Sequence, residues 1–127
     1  MMDALNKIYE ALSADSVIYD AVENRIKYYE YPETGAVDKA YIIIDPLQPP
    51  NPDDYADNDW MTEEHLIQVD VWSKSREEKD KLGERIRMVM KNIGFYQSGG
   101  GIDEYDKDVK IYRDARRYLG KFYRNDI

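Results

Sequence analysis

Apolar residues at the start of the chain recur at three- and four-residue spacing: Met2, Leu5, Ile8 and Leu12. That spacing puts them on one face of a helix, and Asp3 sits where the positive end of the helix dipole favours a carboxylate. Ser13 to Ser16 interrupts the pattern with capping chemistry. Val17, Ile18, Ala21 and Val22 then predict a short helix from about Val17 to Glu23, which Asn24 ends. After that the period changes. Arg25 to Tyr31 is β-prone, with Ile26 and three tyrosines, and Pro32 and Gly35 mark a turn. Ala40 to Asp45 is an unbroken, mostly β-branched run, the pattern of a strand covered on both faces, and Pro46 stops it. His65 to Trp72 alternates: Ile67, Val69 and Val71 fall on one face, Gln68, Asp70 and Trp72 on the other.

The strongest helical pattern opens at Ser75. Ser75 and Glu78 have the spacing of a capping box, in which each satisfies an otherwise unpaired amide of the first turn. Leu82, Ile86, Val89, Met90 and Ile93 make one apolar stripe, and Gly94 is the expected left-handed terminator. Phe95 to Gln97 reads as a short strand and Gly99-Gly100-Gly101 as a hairpin tip. Val109 to Tyr123 reads as a long final strand. The predicted order is α-α-β-β-β-α-β-β in a single domain over residues 1–127. It is an α+β fold, a mainly antiparallel or mixed sheet with helices packed on one face.

Residues 46–62 stand apart. Four of the five prolines (Pro46, Pro49, Pro50, Pro52) fall here, followed by Asp53, Asp54, Asp57 and Asp59, and no hydrophobic period is present. The stretch reads as a long loop, mobile in the free protein. Loops of this length in a compact domain are usually functional or disordered.

Composition narrows the chemistry. With 127 residues the chain is one domain long, and its formal charge is −8, against a general binder of nucleic acid or anionic membranes. The charge is lopsided. Residues 1–64 hold 15 acidic and 4 basic groups, residues 65–127 hold 11 and 14, and no lysine or arginine lies between Lys39 and Lys74. There is no cysteine and a single histidine, His65, which excludes disulfides, thiolate metal sites and multi-histidine sites. His65 itself reads as a strand residue. The N-terminus shows no basic region followed by an apolar stretch, so the reading is of a chain made and used in a cytoplasm. Twelve of the sixteen aromatic residues are tyrosine, which tolerates half-burial and suits protein interfaces.

Two metal-dependent readings are disfavoured. Asp53, Asp57, Asp59 and Glu64 match positions 1, 5, 7 and 12 of a calcium loop, but Tyr55 stands at position 3 and Asn58 replaces the turn glycine. A carboxylate nuclease needs clustered carboxylates on a metal and a nearby lysine. Pro52-Asp53 and Asp108-Val109-Lys110 superficially resemble such a motif, separated by more than fifty residues. The basic residues Lys110, Arg113, Arg116, Arg117, Lys121 and Arg124 share the last strand and its tail with Asp114, so pairing with carboxylates is favoured over nucleic-acid contact. No catalytic, cofactor or metal residue is assigned. The candidate interface residues are Asp53, Asp54, Tyr55, Asp57 and Asp59 in the acidic stretch, and Arg113, Arg116 and Arg117 on the strand.

Several segments carry a resemblance: Tyr29-Glu30-Tyr31-Pro32-Glu33, Tyr41 to Pro46, Asp54-Tyr55-Ala56-Asp57-Asn58, Ile67 to Trp72, and Tyr112-Arg113-Asp114-Ala115-Arg116-Arg117-Tyr118. In this order, over about Ile8 to Arg124, the chain resembles the tail completion proteins of long-tailed bacteriophages and prophages of Gram-positive hosts. These are also called head–tail joining or tail terminator proteins. The resemblance implies an α+β subunit forming a ring, typically a hexamer, that caps the finished tail tube and docks on the head connector, without catalysis or cofactor. Its partners would be copies of itself, the connector and the tail tube protein, with DNA only passing through the lumen. Its place would be the head–tail interface of the virion, after assembly in the host cytoplasm. An acidic lumen would let DNA slide without sticking. The alternative is a small prophage enzyme of nuclease type holding a divalent metal on the acidic stretch.

Overall fold

The first two helices share one residue as their joint. Helix α1 (Ala4–Ala14) is capped by Asp3, whose carboxylate accepts the Asn6 amide at 2.8 Å. Asp15 closes α1, its own amide bonding back to the Leu12 carbonyl. The Asp15 carboxylate then opens α2 (Ser16–Val22) by accepting the Val17 and Ile18 amides at 3.1 and 3.2 Å. The same carboxylate receives Arg85 at 2.8 Å. One aspartate therefore satisfies two helix ends and ties them to the third helix.

The computed structural model describes residues 3–32, 38–56 and 59–123; of residues 55, 56 and 59–61 it describes the backbone alone. Met2 of the expected first stripe, Gly35 of the expected turn and Arg124 lie outside the described residues. The strands are β1 (Ile26–Tyr28), β2 (Tyr41–Pro46), β3 (Asn51–Ala56), β4 (Asp59–Ser73), β5 (Phe95–Gln97), β6 (Ile102–Asp106) and β7 (Ile111–Tyr123), with α3 (Arg76–Asn92) between β4 and β5. The α+β class and the predicted order hold, and β3 and β6 are additional strands. Strands β4 and β7 pair antiparallel from Thr62 opposite Tyr123 to Ser73 opposite Tyr112. Each outer edge of this central pair is covered by two strands in tandem: β2 and β3 along β4, β5 and β6 along β7. Among the described strands only β1 runs parallel to its neighbour, pairing Ile26 with Ile42, which makes the sheet mixed.

The predicted loop over 46–62 is corrected by the structure. After Pro46 the chain breaks step for residues 47–50, held by the Leu47 amide on the Leu66 carbonyl, and then resumes along β4 as β3. Asn51 lies opposite Glu64 and Tyr55 opposite Trp60, so β3 and the first part of β4 form a β-ribbon. The physical reason for the misreading is twofold. Strand β3 is an edge, where a proline such as Pro52 is tolerated because one row of amides needs no partner. Asn51, Pro52 and Asp54 are exposed, so no alternating apolar pattern is required of the strand.

All three helices pack on one face of the sheet. Ile42 and Ile44 of β2, Ile67, Val69 and Val71 of β4 and Tyr118 of β7 meet Ile8, Leu12, Ile18, Leu82, Ile86 and Met90 from the helices. The expected stripe of α3 is thus the core, with Val89 and Ile93 half-buried beside it. The cap of α3 differs in detail from the expected reciprocal box. Ser75 does accept the Glu78 amide, at 3.2 Å, but the Glu78 carboxylate takes the Ser73 hydroxyl at 2.7 Å, and Ser73 in turn accepts the Ser75 amide at 3.0 Å. Gly94 ends the helix with φ 90°, as expected.

Candidate interaction surface

Alternation along β7 splits the three candidate arginines. Side chains of directly opposed residues share a face. Arg113 opposes Trp72 and Arg117 opposes Gln68, on the face without helices, whereas Arg116 opposes Val69 on the helix face. The arginine strand is therefore two half-surfaces back to back.

On the open face, Asp70 is buried and is the hub. Arg113 donates to its carboxylate at 2.8 and 3.1 Å and to Glu104 of β6 at 3.0 Å. Gln68 donates to the other Asp70 oxygen at 2.9 Å and receives Arg117 at 3.4 Å. The row runs across β6, β7 and β4. Above it Tyr31 stacks on Tyr41 at 3.9 Å, Tyr41 lies parallel to Trp72 at 6.1 Å, and the Arg113 guanidinium sits 5.1 Å from the Trp72 ring. Stacked aromatics ending in a cation make this end of the face rigid and half-apolar. The alternation of Gln68, Asp70 and Trp72 was visible in the sequence. Their partners were not, because the register that sets Trp72 beside Arg113 and Tyr41 is a long-range fact.

On the helix face, Asp114 is buried and burial pushes its carboxyl above the usual range, although Arg116 hydrogen-bonds it at 3.0 and 3.1 Å. Arg116 also reaches Glu84 at 3.4 Å. Lys79 of α3, buried itself, binds Asp80 and Asp103, joining the helix to β6. These are structural pairings of helix to sheet, and they absorb Arg116.

Asp53 and Asp54 lie on the ribbon, bound by Lys121 of β7 at 3.1 and 2.6 Å, and the Thr62 hydroxyl donates to Asp54 at 2.8 Å. The hydrogen bonds from Lys121 and Thr62 hold the Asp54 carboxyl below its ordinary value. Tyr55 and Asp59 fall on the backbone of the ribbon, and Asp57 lies outside the described residues. At the ribbon's root, where residues 47–50 bulge, a cleft of about 510 Å³ is lined by Leu5, Tyr29, Leu47, Pro49, His65 and Leu66. His65 is a buried strand residue set edge-on to Phe122 at 6.1 Å, and burial lowers its pKa. Among the described residues no group of three or more histidine, aspartate or glutamate side chains is placed to hold a metal ion.

No family model matches the chain, and no curated protein matches it. Among solved structures, a protein chain in the virion of a native gene transfer agent particle has a similar fold. The TM-score is 0.64 at 13% identity, over 91% of this chain and 91% of that one. At that identity the likeness is one of fold.

Proposed function

We propose that this chain is a non-enzymatic structural protein of a phage or phage-like virion, forming a ring at the head–tail interface that caps the tail tube and joins it to the head connector. The observation that supports this most is the shared fold with a virion chain over nine-tenths of both sequences. The sequence resemblance to tail completion proteins agrees with it from a separate direction. The surface suits a joining role. An acidic ribbon leaves the sheet beyond the last described pair with β7, and a half-apolar, arginine-bearing sheet face carries no helix among the described residues. The reading places the ring in the virion, with copies of the chain, a connector and a tube protein as its neighbours.

The test is a joining assay. Heads and tails prepared without the protein should join when the purified chain is added and stay separate without it, as scored by electron microscopy. A chain that binds neither heads nor tails, and restores no joining, would falsify the assignment.

A further inference from the structure

The arginines of β7 are unequally matched. Arg113 has Asp70 and Glu104, and Arg116 has Asp114 and Glu84. Arg117 is exposed, and among the described residues no carboxylate pairs with it; the one hydrogen bond its guanidinium makes to them is the 3.4 Å contact to the Gln68 amide oxygen. Among the described residues, Arg76 and Arg117 are the arginines with no carboxylate within ion-pair distance, and of these two Arg117 lies on the sheet.

Arg117 borders a second cleft, of about 300 Å³, on the open face between β5 and β6. Its wall is the Gly99–Gly101 turn, and its floor includes Gln68 and Ala115. Gly101 lies so close to β7 that a Cβ there would stand 2.4 Å from the Ala115 carbonyl oxygen. Gly99 and Gly100 have nothing within 4 Å of where a Cβ would stand, so beside the guanidinium the wall is bare backbone that an incoming strand or turn can approach closely.

The chain also carries a complement to this site. From Asp53 to Glu64 there are six carboxylates and no lysine or arginine. Lys121 occupies Asp53 and Asp54. A subunit's own ribbon cannot serve its own Arg117. Glu64 lies opposite Lys121, four residues or about 14 Å along β7 from Arg117, and the ribbon continues away from it.

We infer that the acidic ribbon of one copy docks in the Arg117 cleft of the next, a guanidinium–carboxylate contact between two different patches of identical subunits. This rests on the ring reading and specifies its contact. Two unlike patches repeated on every copy propagate the contact in one direction, which is what a closed ring requires. A guanidinium fork takes a carboxylate with two parallel hydrogen bonds and so fixes the angle between neighbours.

Charge exchange tests the pairing. Self-association is measured by sedimentation velocity at low ionic strength for the wild type, for Arg117→Glu, for the double variant Asp57→Arg/Asp59→Arg, and for an equal mixture of the two variants. Asp53 and Asp54 are left intact because Lys121 holds them. Circular dichroism checks each fold, and Arg117→Gln serves as the milder substitution. Each charge-reversed variant alone should associate about tenfold or more weakly than the wild type, since like charges then meet. The mixture should recover association, because in an alternating assembly every contact again joins opposite charges. Association of the folded variants at wild-type strength would overturn this contact and leave the ring standing. Loss in both variants without recovery in the mixture would also overturn it, since the ribbon would then not be Arg117's partner. A wild type that never self-associates, free or on tails, would overturn the ring and the contact together.

Discussion

Gly83 of α3 lies against Asp114 of β7 so closely that a Cβ at Gly83 would stand 2.5 Å from the Asp114 carboxylate oxygen. The helix can rest on the sheet at this depth only because position 83 has no side chain. Around the contact, Lys79 and Arg116 supply the positive charge that a buried carboxylate needs. Gly83→Ala should therefore destabilise the fold by about 1–3 kcal/mol through overpacking, against the roughly 1 kcal/mol that alanine gains over glycine in a helix. Urea denaturation reads the net change, and a more stable variant would mean that α3 lifts freely from β7.

Leu82 and Ile86 are 1% and 2% exposed in the centre of the core. Replacing either with alanine should cost about 2–4 kcal/mol, from lost transfer energy and the cavity left behind. Thermal and denaturant melts check this. A loss below about 0.5 kcal/mol, the range of surface substitutions, would show that the stripe does not carry the core.

Arg113 and Arg117 share a face and differ in duty. Arg113→Ala leaves the buried Asp70 without its cation, at an expected cost of about 2–4 kcal/mol. Arg117→Ala removes only a long contact to Gln68 and should stay within about 0.5 kcal/mol of the wild type. Equal effects in parallel urea titrations would refute the division into a structural and a free arginine.

Asp15 and Asp114 should pull the stability–pH curve in opposite senses. Burial alone would raise the Asp15 pKa, but the hydrogen bonds from Arg85, Ile18 and Val17 outweigh it and hold the carboxyl below 3.8. Its stabilisation is complete above that ordinary value and is lost as pH falls through the folded one. Asp114 is held above 3.8 by burial, so its charged form penalises the fold, absent in acid and growing as pH rises through the raised value. Denaturation midpoints between about pH 3 and 7 should show the wild-type advantage over Asp15→Asn shrinking in acid. Asp114→Asn should gain on the wild type as pH rises. The same slope for both variants would contradict these assignments.

What the sequence disclosed follows from what each element buries. Ile67, Val69 and Val71, or Leu82 and Ile86, bury one face and so show the period of that face. Strand β3 shows no such period because three of its residues are exposed, so prolines and aspartates concealed it. Strand β6 is exposed at every residue and was hidden for the same reason. The acidic stretch and the arginine strand were both legible as charge. Their division was not, because Arg116 is separated from Arg113 and Arg117 only by knowing which way β7 faces, and Asp70 becomes a hub only once β4 lies beside β7.

The tandem strands on both edges of the β4–β7 pair have a mechanical consequence. From Thr62 within the ribbon to Ser73 at the far end of the sheet, β4 and β7 share an unbroken ladder of twelve residue pairs. The flanking strands are interrupted at residues 47–50 and 98–101. A pull on the ribbon along its axis loads that ladder in shear, so its hydrogen bonds resist together, while a sideways force peels the interrupted edges a few bonds at a time. The subunit is stiff along the direction in which its ribbon points and compliant at its flanks, the behaviour of a tension rod with hinged sides.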